Sequence, residues 1–96
     1  MVAAINHRTD MAQVVDCGRF LVIEATSLEM YSACGSPGIC DYCGQHSENG
    51  YYIAVINRWY CPDCYEAFKR DARYSPKDAP VEERNYQYYG KLLGVL

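Results

Sequence analysis

The chain has 96 residues and a net charge of −3, from nine basic and twelve acidic side chains, which fits one domain with a modest core and makes a poor general binder of phosphate backbones, whose affinity rests on clustered Lys and Arg. Ten tyrosines and six cysteines make up much of the apolar half, leaving two phenylalanines and one tryptophan. Burial at ~25 cal/mol/Å² barely offsets chain entropy at this size, so a metal or disulfide supplement is expected, and no run approaches the roughly 20 apolar residues of a membrane span.

Residues 1–11 show no sustained hydrophobic period and read as a flexible arm, in which Val2 to Ile5 suit the edge of a sheet. His7 and Arg8 lie there without the apolar stretch of a secretory signal, so a cytoplasmic, reducing compartment is expected. In such a compartment closely spaced cysteines point to metal before disulfides. Residues 12–38 follow as a hairpin and a short helix. Gln13 to Cys17 and Arg19 to Ala25 are β-branched runs parted near Gly18. Phe20 to Ile23 is apolar without a break, so both faces of that strand are expected to be covered. Thr26 with Glu29 three residues later is a capping box; it opens a helix through about Ala33, which Gly35-Ser-Pro-Gly38 ends.

Residues 39–74 carry the chemistry. Cys40-Asp-Tyr-Cys43-Gly44 is separated from Cys61-Pro-Asp-Cys64 by a 17-residue span, Gly44 through Tyr60. Two C-x2-C pairs at this separation match a four-thiolate zinc site, with Cys40, Cys43, Cys61 and Cys64 as ligands of one structural Zn²⁺. Two intervening residues let each pair fold tightly enough for both sulfurs to reach one ion at ~2.3 Å, and two pairs close a tetrahedron. No coordination position then remains for water, so the site reads as structural. With four thiolates and the divalent ion, net charge becomes about −5. Between the pairs, Asn49-Gly50 precedes a strand run from Tyr51 to Ile56, and Asn57-Arg58 turns it into Trp59-Tyr60. After the second pair, Tyr65, Phe68 and Ala72 recur at helical spacing, with Glu66 and Arg70 as an i,i+4 pair on the wet side. Cys64 falls in the first helical turn, where the dipole favours a thiolate.

The chain closes with a helix over 78–94. Pro80 suits its first turn together with Glu82 and Glu83, Lys91 its negative end, and Gly94 its C-terminal cap. Val81, Asn85, Tyr88 and Leu92 form its expected packing stripe, widened by Tyr89 and Leu93, with Gly90 costing ~1 kcal/mol. Cys17 and Cys34 are too few for a second site and read as small buried apolar groups. His46 belongs to an exposed loop, Gln45 to Gly50.

A knuckle, a hairpin and a helix carrying the last ligands resembles the treble-clef zinc fingers over about Ile39 to Arg73. The spacing is similar to GATA-type fingers, and the texture "CDYCG … WYCPDCYEAF" to the zinc-binding domain of ClpX-type unfoldases. With the N-terminal β-hairpin and the C-terminal helix read from their own residues, the resemblance implies an α+β fold built around a small zinc-stabilised treble-clef finger. Basic residues of the GATA kind are not repeated here, since only Arg58 lies on the hairpin. The ClpX likeness implies a protein-binding module.

One expectation follows for function: a non-enzymatic zinc protein that acts as an interaction module (adaptor, regulator or inhibitor) for a protein partner, with no membrane and no small-molecule substrate. Its contact candidates are Tyr51, Tyr52, Arg58, Trp59, Lys69, Arg70 and Arg73, since tyrosine offers area with a polar tip. The alternative is a nucleic-acid-binding finger using Arg58, Lys69, Arg70 and Arg73. A third reading takes Cys61-Pro-Asp-Cys64 as a thiol-disulfide redox motif, which the upstream pair disfavours.

Overall fold

Four strands form one antiparallel meander in the order β1-β2-β3-β4: β1 (Gln13–Cys17), β2 (Phe20–Thr26), β3 (Asn49–Ile53) and β4 (Arg58–Tyr60). Among the described residues three helices join it, α1 (Ser27–Cys34), α2 (Pro62–Asp71) and α3 (Ala79–Leu92), with a 3-10 turn at Pro76–Asp78 leading into α3. This α+β architecture is a computed structural model that describes residues 12–96. The arm expected over 1–11 lies outside the described residues. Among the described residues no helix is long and apolar enough to cross a membrane.

The N-terminal half follows its local signals. Cys17 faces Phe20 across a two-residue turn, and Gly18 supplies the positive φ (62°) that this turn requires at its first position. The capping box forms as expected: Thr26 Oγ1 accepts from Glu29 N–H at 3.1 Å, and the Glu29 carboxylate accepts from Thr26 N–H at 2.7 Å. Gly35 ends α1 in the left-handed region at φ 75°, its N–H donating to Tyr31 O.

β2 lies inside the sheet, and both of its faces are covered. On one face Val22 meets Ile53 of β3 and Tyr65 of α2, flanked by Phe20, Tyr51, Tyr60 and Phe68. On the other, Ile23 and Ala25 pack with Met30 of α1, Tyr52, Ala54 and Trp59, and α3 adds Tyr86, Tyr89 and Leu93. Val22, Ile23 and Ile53 are fully buried, each contributing roughly 1.5–3 kcal/mol. The sheet is thus a partition between α2 and the α1–α3 pair.

Three expectations are corrected. The strand expected over Tyr51 to Ile56 stops at Ile53; Ala54 to Asn57 form the turn, with Asn57 at φ 56° and its N–H donating to Ala54 O. Asn49-Gly50, expected at the end of an exposed loop before the strand, lies inside β3, where the Trp59 indole packs on Gly50 so closely that a Cβ there would sit 2.3 Å from the ring. The stripe expected on α3 is rotated: Val81, Tyr88 and Leu92 are exposed, whereas Glu82 and Gly90 are buried. The cause is polar. Past Ile53 the ladder keeps only the bond from Ala54 N–H to Leu21 O at 3.1 Å; Glu82 Oε2 accepts the Leu21 N–H at 2.8 Å, while Asn85 Nδ2 donates to Ala54 O at 2.9 Å. Two fixed hydrogen bonds orient the helix, and Gly90 leaves room for Leu96, whose Cδ1 would lie 2.6 Å from an added Cβ.

Candidate metal centre

The first cysteine pair sits on a tight knuckle. Gly44 N–H donates to Cys40 O at 2.9 Å and Cys40 N–H to Gln45 O at 2.9 Å, while Gly44 takes φ 77°, a conformation open to glycine. Ile39 and His46 pair across the base of this loop, and His46 is exposed as expected. Asp41 ties the knuckle to β4. Its N–H donates to Trp59 O at 2.9 Å, and its Oδ2 accepts from Trp59 N–H at 2.8 Å. That pair continues the sheet pattern beyond β4. Sequence reading passed over Asp41, although a short carboxylate beside a turn is a common acceptor for backbone N–H.

The second pair is placed by the end of the hairpin and the start of α2. Cys61 is the N-cap, Pro62 fits the first helical turn, and Cys64 follows within that turn. Tyr65 N–H donates to Cys61 O at 2.9 Å, so the helix closes directly behind the ligand. The four sulfurs Cys40, Cys43, Cys61 and Cys64 all lie within 4.8 Å of one another. Cys43 and Cys61 Sγ are 3.9 Å apart. Bonds of ~2.3 Å to a central ion give a regular tetrahedron an edge of about 3.8 Å. The donor set therefore fits one metal ion, and soft tetrahedral S₄ coordination suits zinc or iron rather than calcium or magnesium.

The sulfurs are not equivalent. Cys40 is buried and Cys43 exposed, with Cys61 and Cys64 between. Burial opposes the Cys40 thiolate, but backbone hydrogen bonds at Cys43, Cys61 and Tyr42 outweigh it and bring the thiol down to about 6. Tyr42 N–H reaches Cys40 Sγ at 3.4 Å. Cys61 is pushed up by burial. Cys64 is also pushed up, by burial and then by hydrogen bonds with Cys61, Cys40 and Cys43. A divalent cation at the centre of these sulfurs would take the place of their protons. The Tyr60 phenol is likewise raised, first by burial and then by the charge of Cys40 and Cys64.

The contact candidates do not come together as one patch. Tyr52 and Trp59 are each 2% exposed, a correction to their reading as surface groups. They belong to the core because their side of the sheet faces α1 and α3; Trp59 Nε1 donates to Ala25 O at 3.0 Å and Tyr52 OH to Asn57 Oδ1 at 2.7 Å. Tyr51, on the opposite face, is half-buried and stacks on Tyr65 at 4.0 Å. Arg58, Lys69, Arg70 and Arg73 are exposed. Lys69 pairs with Glu66 at 2.9 Å and lies over the Tyr65 ring at 4.9 Å, and Arg70 pairs with Asp71 at 3.6 Å, in place of the expected Glu66–Arg70 pair. Cys34 is exposed rather than buried, its thiol donating to Met30 O at 3.3 Å, and Cys17 is half-buried. The most exposed aromatic is one that sequence reading did not select: Tyr42, on the knuckle, at 75%. Its place between Cys40 and Cys43, which fixes it on a tight outward loop, was the available signal.

Comparison with protein-family models, with curated proteins and with solved structures finds no match for this chain.

Proposed function

We propose that residues 39–74 form a zinc-bearing unit of the treble-clef kind and that the protein is a non-catalytic module which binds a protein partner. The observation that carries this reading is the closure of four sulfurs from two distant cysteine pairs around one point. A set of four protein ligands leaves no position for water or substrate, which is the property of a structural site. The residues that would hold the ion are Cys40, Cys43, Cys61 and Cys64; when bound, it cross-links knuckle, hairpin and α2. Asp41 aligns the knuckle on β4, and Pro62 and Tyr65 set the start of the helix.

Two alternatives receive less support. The acidic balance of the chain weighs against a phosphate-binding surface. A redox role for Cys61 and Cys64 is disfavoured by the two further sulfurs beside them. The reading is tested by chemical cross-linking of the zinc-loaded chain in its native extract, with a chelator-treated sample in parallel. One discrete protein adduct that needs the metal and survives nuclease is expected; an adduct with nucleic acid, or none, contradicts it.

A further inference from the structure

Beside the metal centre, on the α2 side of the sheet, a shallow groove of about 270 Å³ is lined by Tyr42, Tyr60, Cys64, Ala67, Phe68 and Asp71 among others. Three of its seven lining residues are aromatic. Tyr42 and Tyr60 have ring centroids 5.7 Å apart, and Tyr60 meets Phe68 edge-on at 6.4 Å. These rings come from three elements that the metal centre locks together, so the groove is set before any ligand arrives, which lowers the ordering cost of binding. The outer wall is Tyr42, an amphipathic side chain with most of its surface in water.

The charge of this groove narrows its occupant. Four thiolates around a divalent cation carry a net charge of about −2, and Cys64 places that charge in the wall. Asp71 adds a carboxylate at the α2 end. Arg70 lies 3.6 Å from it, but both side chains are about 70% exposed, and such pairs hold little energy in water. Arg58 stands on the same face of β4 as Tyr60, outside the groove's lining. Tyrosine faces attract cations, and an apolar floor takes an aliphatic or aromatic side chain.

Resting on the interaction-module reading, we propose that this groove is the partner-binding site and that its occupant is a peptide segment of another protein presenting an apolar side chain flanked by lysine or arginine. The apolar group seats between Tyr42 and Phe68, and the flanking cations face Asp71 and the sulfur cluster.

The test uses the zinc-loaded full chain and three fluorescent peptides in an anisotropy titration: a Leu-Phe pair flanked by lysines, the same pair flanked by glutamates, and lysines around a Ser-Ser pair. The lysine-flanked Leu-Phe peptide is expected to bind at least about tenfold more tightly than either of the others. Tyr42→Ala weakens it about tenfold, and Asp71→Asn about threefold. Tyr42 is exposed, so its replacement leaves the fold intact, which an unchanged melting curve verifies. Equal or tighter binding of the glutamate or Ser-Ser peptide, indifference to Tyr42→Ala, or displacement of the peptide by a single-stranded oligonucleotide overturns the proposal. If the cross-linked adduct from native extract forms equally well with Tyr42→Ala, the groove assignment falls while the interaction-module reading stands; if no adduct forms with the unaltered chain, the broader reading falls first.

Discussion

The two faces of the sheet are stabilised by different means. Between the sheet and the α1–α3 pair lies a core of Ile23, Ala25, Met30, Tyr52, Ala54 and Trp59, extended by Tyr86, Tyr89 and Leu93. On the α2 side the fully enclosed residues are Val22, Ile53 and Tyr65, and the rest is half-buried aromatic surface around the sulfur cluster. The apolar side is held by area removed from water, the other by a point where four sulfurs meet. A four-cysteine cluster that could hold a metal ion therefore stands where burial alone is thinnest, which is where a small domain needs a supplement. The sides are also joined: Trp59 belongs to the apolar core, yet its backbone is pinned by Asp41 of the knuckle.

The difference is broken most directly at the sulfurs. Cys40→Ser or Cys64→Ser removes a ligand from a centre that supplies folding free energy of order 10 kcal/mol in small zinc domains, comparable with the whole stability of such a chain. Loss of cooperative thermal melting is expected, with Trp59 fluorescence shifting to the red as the Asp41 bonds open; unchanged melting of either variant contradicts the comparison. The apolar side is probed next by Trp59→Ala, expected to cost about 3–5 kcal/mol in denaturant melts, and by Gly50→Ala, about 1–3 kcal/mol from overpacking against the indole. Both variants should retain one metal ion per chain, and loss of the ion would show that the two sides are not separable.

A smaller effect distinguishes polar from apolar anchoring of α3. Glu82→Ala leaves the Leu21 N–H without its acceptor and should cost about 1–3 kcal/mol, whereas Glu82→Gln keeps an oxygen there and should cost less. Equal losses for both would mean that the negative charge, not the accepted hydrogen bond, holds the helix. The mildest probe is alkaline pH. Burial raises the Tyr52 phenol above its usual value near 10, so the folded state favours the protonated form. That contribution is fully present below the unfolded value and is lost as pH rises through the folded one. Tyr52→Phe should cost ~1 kcal/mol at neutral pH through the lost bond to Asn57, and it should flatten the decline in stability above pH ~10. An unchanged alkaline decline would assign it to other groups.

What could be read in advance was what local chemistry decides. Thr26 and Glu29 cap α1 because both partners lie within one turn, and the continuous run from Phe20 to Ile23 correctly implied a strand covered on both sides. The clustering of Cys40, Cys43, Cys61 and Cys64 was legible because two residues between sulfurs let each pair fold tightly around one point. What the pattern could not convey depends on distant partners. The face of α3 is chosen by a backbone N–H at Leu21, 61 residues from Glu82. Alternation placed Tyr51 and Tyr52 on opposite faces but did not say that each face meets a helix, so the buried roles of Tyr52 and Trp59 were missed. Lys69 and Arg70 had several acidic neighbours within reach, and helical spacing alone did not choose among them.

The central claim is that Cys40, Cys43, Cys61 and Cys64 hold one metal ion in a closed, all-sulfur shell. X-ray absorption at the zinc edge, on the reduced chain as purified, tests it most directly. The expected spectrum gives four sulfur neighbours at ~2.3 Å, at one zinc per chain. A first shell containing oxygen or nitrogen, or a folded chain that carries no metal, would contradict it.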